Sequence, residues 1–204
     1  MMEDESVIYT RRSQYEPKRR ERERAIKELV AKGAYSIIFV VLALIALRPL
    51  MVNQMLSRAD AYATFGLHGE SKRQCSKALL LDENNGQAWH KLARIHRGEG
   101  NIDMALGAYQ MATASDRGNT PAYFEYAMMH VEEGRHKQAI PLLDRVRQLK
   151  SNEKAPGGSS YHKASLDMLL RCYEKVGDQA KVEFTREEMR VFYPHLTSSD
   201  TGAS

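Results

Sequence analysis

The sequence predicts an all-α chain in which one N-terminal membrane-crossing helix is followed by a solenoid of about four helix pairs. Two observations predict it. Uncharged, mostly apolar residues run unbroken from Gly33 to Leu47, and a set of aromatic, small and glycine positions recurs at an interval of 34 residues, a spacing that fits one helix–turn–helix unit per repeat.

At 204 residues the chain has room for one ordinary domain, or for a small domain with an anchor and tails. Its 30 Lys+Arg against 26 Asp+Glu leave a formal net charge of +4, without the clustered basic face that a nucleic-acid partner requires beyond the N-terminus. Cys75 and Cys172 stand far apart, with no CxxC, no CxxCH and no paired His at ligand spacing. Neither zinc nor haem is implied.

The apolar segment GAYSIIFVVLALIAL holds fifteen residues. As a helix it spans roughly 22 Å, short of a ~30 Å hydrocarbon core, but Lys32 and Arg48 can snorkel and the helix can run on to Val52. A long charged stretch precedes it and RPLMVNQML follows, which reads as an uncleaved signal anchor over 33–52 rather than a cleaved signal peptide. Nothing else in the chain is apolar enough to surround it as a core helix. Upstream stand Lys18, Arg19, Arg20, Arg22, Arg24, Lys27 and Lys32, against Arg48 and Arg58 downstream. Cations set orientation and acids count little, so the charged, partly helical segment 1–32 is expected in the cytoplasm and the repeats on the extracytoplasmic side, in a bacterium the periplasm.

Trp89, Leu92, Ala93, Gly100, Ala105, Tyr109 and Ala112 are matched 34 residues later by Tyr123, Tyr126, Ala127, Gly134, Ala139, Leu143 and Val146. Counting back 34 finds Ala59, Tyr62, Gly66, Cys75 and Ala78. Beyond the loop SNEKAPGGSS the pattern resumes, nine residues late, with Leu166, Leu169, Leu170, Tyr173, Gly177 and Met189. This pattern, best displayed by AWHKLARIHRGEGNIDMALGAYQMATA, resembles the tetratricopeptide repeat family over about residues 52 to 196. The resemblance implies a right-handed α-solenoid, with repeats at about 52–85, 86–119, 120–153 and 163–196 inside a domain at 53–196, and 197–204 as a disordered tail. Helices are expected at 53–66, 69–82, 86–98, 102–115, 120–133, 136–149, 160–176 and 178–193. His96 and His130 replace the usual Tyr, Arg58 a Leu, and Arg186 a large apolar residue. Polar departures at the two ends are what a one-dimensional stack needs for solubility.

No Ser/His/Asp or Cys/His set, phosphate loop or HExxH pattern appears, so neither an enzyme, a cofactor nor a small-molecule substrate is expected. His96 and His130, at equivalent repeat positions, read as packing or hydrogen-bonding residues, with a ligand role the alternative, and Cys75 and Cys172 as small buried hydrophobes. In the family the first helix of each pair lines a groove. Carried over by position, that groove holds His90, Arg94 and Arg97, then Phe124, Met128 and Val131, then Arg171. An apolar strip flanked by arginines suits a protein segment with an apolar residue and nearby carboxylates; an ordinary solvated face is the plainer alternative. The two-Lys, two-Asn clamp that grips chaperone C-termini in some relatives is not reproduced.

These readings converge on a membrane-anchored scaffold or assembly factor that binds other proteins of an envelope complex. A constitutive subunit of a large membrane complex, or an organelle receptor with cytosolic repeats, are the alternatives. A reporter fused after Ser204 is expected to behave as exported; cytoplasmic reporter activity overturns the orientation.

Overall fold

The computed structural model describes the backbone of residues 5–150 and 160–194, and the side chains of 26–149 and 160–194. Among them every regular element is an α-helix: α1 (Glu5–Thr64), α2 (His68–Leu81), α3 (Gly86–Gly98), α4 (Ile102–Ser115), α5 (Thr120–Glu132), α6 (His136–Lys150), α7 (Ser160–Val176) and α8 (Gln179–Phe192). The loop expected at 151–160 lies outside the described residues except for Ser160, which opens α7, and so does the tail at 197–204. The chain divides into two compact units, Met1–Met51 and Val52–Ser204.

In the first unit α1 is long and apolar enough to cross a membrane. Its residues Ile37, Phe39, Leu42, Leu44, Ile45 and Leu47 are all exposed, and six such positions within three turns leave no polar stripe, unlike a surface helix of a globular domain. Pro49 deprives the Ile45 carbonyl of its usual donor, yet α1 continues. The sequence places no Gly or Ser linker between the apolar segment and the helix expected from residue 53, so that the one can continue into the other, and α1 runs without a break through to Thr64. Val52, counted in the sequence with the apolar segment, is buried with Leu56, Ala78 and Ala88 in the second unit.

The second unit is built from one turn used four times. At the end of each first helix a glycine takes a left-handed conformation: Gly66, Gly100, Gly134 and Gly177, with φ between 71° and 83°. Around Gly100, the Gly100 amide donates to the Arg97 carbonyl and the Asn101 amide to His96, at 3.0 and 2.9 Å. The Gly134 turn repeats this with Val131 and His130. This double bond pattern satisfies the last carbonyls of the helix, and only glycine adopts its backbone without a Cβ penalty. Asn85 and Asn119 cap α3 and α5 by accepting from the amides of Ala88 and Ala122.

Between these turns the core is made of small residues that let helices close on one another, with a few large ones filling the gaps. Ala93, Ala105 and Ala108 surround Tyr109 and Met129, so the second repeat is sealed by a residue of the third. Ala127, Ala139 and Leu143 join Leu169, Cys172, Tyr173 and Val182 in the same way across the third and fourth. Trp89 is half-buried against the Tyr109 cluster, and its indole donates to the Glu83 carbonyl at 2.8 Å. Cys75 and Cys172 are buried and free, and burial pushes the Cys75 thiol up to about 11.

Two glycines inside helices have opposite surroundings. A Cβ on Gly86 would stand 2.5 Å from the Asp116 Cβ, whereas one on Gly107 would meet nothing within 4 Å. Gly86→Ala is therefore expected to destabilise by about 1–3 kcal/mol through overpacking, and Gly107→Ala to stabilise by about 0.5–1 kcal/mol. Denaturant midpoints of the two variants that move in the same direction contradict this packing.

Candidate functional site

The first helices α3, α5 and α7 share one face of the solenoid. Arg94, Arg97 and Gly98 of α3, Phe124, Glu125 and Met128 of α5, Tyr161 of α7 and Tyr109 of α4 line a hollow of about 530 Å³. Its apolar floor is half-buried: Phe124 meets Tyr161 edge-on with ring centroids 5.5 Å apart, and Met128 lies beside them. Arg94 also borders a second hollow of about 490 Å³, with Asp60, His68 and Lys91. The two hollows thus adjoin along α3.

A carboxylate anchors the polar side. Glu125 Oε2 accepts from the Tyr109 hydroxyl at 2.9 Å, lies 3.1 Å from His90 Nε2 and 3.7 Å from Arg94 Nε. Burial alone pushes the Glu125 carboxyl up, but the His90 and Tyr109 hydrogen bonds and the Arg94 charge outweigh it and hold the group below the usual carboxylate range. The ionised form is favoured by two hydrogen bonds and a neighbouring cation at one oxygen. The Tyr109 hydroxyl moves the other way, pushed well up by burial and by the Glu125 charge. Arg97 reaches across to Glu132 at 2.6 Å.

Of the seven groove residues expected from the sequence, Arg94, Arg97, Phe124 and Met128 come together at this hollow. Three do not. The His90 side chain is only 14% exposed and its Nε2 is engaged with Glu125, so it supports the floor instead of facing a ligand. Val131 packs on the Ala127–Ala139–Leu143 cluster, because α5 and α6 converge at the Gly134 turn. Arg171 is exposed but does not border the hollow. Sequence reasoning set Glu125 at or near a position of the family's clamp without counting it among the groove residues, and it missed Tyr161. Glu125 left a faint signal, since it lies three residues before Met128 and so on a neighbouring strip of the same helix, whereas Tyr161 follows a loop whose length hides its register.

His96 and His130 are buried at equivalent places. His130 rests on the Tyr126 ring at 4.7 Å, with burial and then Arg135 lowering its pKa. Both are packing residues. Among the described residues no group of three or more His, Cys, Asp or Glu side chains could hold a metal ion.

Solved structures share the fold of this chain and little of its sequence. The crystal structure of MamA superposes with a TM-score of 0.57 at 17% identity, over 74% of this chain and 82% of that one. The type III secretion translocator chaperone SycD of Yersinia enterocolitica matches with 0.55 at 17%, over 62% and 86%. The first TPR of Spaghetti (RPAP3), bound to the HSP90 peptide SRMEEVD, matches with 0.53 at 16%, over 63% and 94%. The fold is that of a tetratricopeptide solenoid. At these identities the likeness carries the fold alone. No protein-family model matches the chain, and no curated protein sequence matches it significantly.

The tetratricopeptide groove thus rests on a polar support that can be tested without any ligand. Tyr109→Phe keeps the ring and removes one donor to Glu125, and is expected to cost about 1–3 kcal/mol while raising the Glu125 carboxyl. Denaturation with a carboxyl-resolved NMR titration measures both; an unmoved Glu125 refutes the network.

Proposed function

We propose that this chain is a non-catalytic, membrane-anchored scaffold whose tetratricopeptide groove seats a segment of a protein partner at the extracytoplasmic membrane face. The observation that carries the reading is the Phe124–Met128–Tyr161 floor, a half-exposed apolar surface contributed by two successive first helices to one hollow. A segment that inserts one apolar side chain there gains the area that water now covers. One similar structure, that of RPAP3, holds a peptide, which supports a segment as the ligand.

The charges narrow what that segment carries. Arg97 is occupied by Glu132, and Arg94 stands 65% exposed at the edge of the hollow, so Arg94 is the cation a partner meets. A free C-terminal carboxylate placed deep in the groove would meet Glu125, which disfavours chaperone tails and favours an internal segment with an acid near the rim. The membrane part of the reading draws on the apolar stretch of α1 and on the cations that precede it in sequence. A constitutive subunit is the second reading, favoured by Leu80 and Met104, which are 86% and 61% exposed on second helices of their pairs. Stoichiometric co-purification in mild detergent separates that reading from transient capture.

A photo-crosslinker in place of Met128, used in native membranes, is expected to trap a partner that Arg94→Glu releases in a salt-dependent way. Met128→Ala should weaken capture while helicity stays unchanged, since a half-exposed residue supports little of the core. Capture that survives both substitutions moves the partner to another face.

A further inference from the structure

The second helices of the pairs form a cleft of their own. Between α4 and α6 lies a hollow of about 460 Å³, walled by Leu106 and Gly107 on one side and by Pro141 and Leu142 on the other. Its floor is the Tyr126–His130 pair of α5, whose rings stand 4.7 Å apart. Gly107 and Pro141 hold the same repeat position, 34 residues apart, and neither favours the helix it occupies. A Cβ on Gly107 would meet nothing within 4 Å, and Pro141 deprives the Lys137 carbonyl of its usual donor. What the two share is a low profile, so both walls are recessed where another backbone can approach. Met104 and Met111 flank Gly107 on the same face of α4, 61% and 42% exposed, and α4 carries no charge from Met104 to Ser115. Through Arg135 and Gln138 the cleft adjoins a second hollow of opposite character, lined by His136, Lys137 and Lys175. Glu133 is already met by Arg135 at 3.6 Å and Glu174 by Arg186 at 3.1 Å. Lys137 and Lys175 are exposed and make no ion pair among the described residues.

We propose that this cleft docks an amphipathic helix of a partner protein, apolar where it meets Gly107 and Pro141 and acidic at the end that meets Lys137 and Lys175. The surface is separate from the Phe124–Met128–Tyr161 floor and does not depend on it. The walls are themselves helices, whose backbone groups are spent on one another. An extended segment would leave its own amides and carbonyls without partners against Leu106, Pro141 and Leu142, whereas a helix brings its hydrogen bonds with it and anchors through residues one turn apart. A lipid surface suits side chains that protrude, and the middle of this face is recessed. The acidic end follows from charge, since carboxylates there offset two lysines that the fold leaves unpaired.

The test is photo-crosslinking of the full chain in native membranes, with a photoreactive side chain in place of Gln138, which is exposed and borders both hollows. The linked segment, read by mass spectrometry, is expected to carry apolar residues at i, i+3 or i+4, and i+7, with acidic residues clustered in the turn at one end. Gly107→Leu fills the recess from open space and is expected to lower the yield about tenfold with helicity unchanged. Lys137→Glu combined with Lys175→Glu, both on exposed side chains, is expected to lower it in a salt-dependent way. Arg94→Glu, in the other groove, is expected to leave it unchanged. Adducts to lipid or to a second copy of the chain, a linked segment without that pattern, or no adduct at all overturns the proposal. So does a yield that Gly107→Leu or the lysine pair leaves unchanged, or one that falls with Arg94→Glu.

Discussion

The structure depends on one constraint: a pair of short helices cannot bury its own apolar stripe, so every repeat must complete its core with side chains of the next. Ala93, Ala105, Ala127 and Ala139 make this possible because their Cβ atoms are all that separates neighbouring helices, and Tyr109 or Leu143 then fills what remains. The four left-handed glycines reverse the chain at the same point of each pair, which keeps all first helices on one face. The groove is a by-product of that repetition. Its floor is apolar because Phe124 and Met128 sit one step outside the positions the stacking uses.

Polar groups buried beside such a core must find partners or destabilise it, and here they divide into two kinds. At the middle of the array Glu125 gathers His90, Tyr109 and Arg94, a satisfied network that stiffens the groove and fixes where its charge lies. At the C-terminal end the cluster of Arg147, Glu188, Asp144 and His162 leaves the His162 Nε2 without a hydrogen bond. The first arrangement suits a binding surface that must be preformed. The second leaves a buried ring nitrogen beside a carboxylate that Arg147 already engages.

The sequence by itself determined the helices, the turns between them and most of the small core residues, because these are local or obey a fixed period: Gly100 and Gly134 mark their turns without reference to anything distant, and the 34-residue interval carries one repeat onto the next. It also brought four of the seven expected groove residues to one place, since a side chain's face on a helix follows from its number. Tertiary structure alone decided the rest. That His90 is tied up by Glu125 and Arg97 by Glu132, each 35 residues away, that Val131 turns onto the core, and that His162 is enclosed by residues of α6 and α8 are facts about pairs, not positions. A periodic sequence states which face a residue occupies. Only packing states what stands opposite it, and the charge and accessibility of a groove are set by that opposing neighbour.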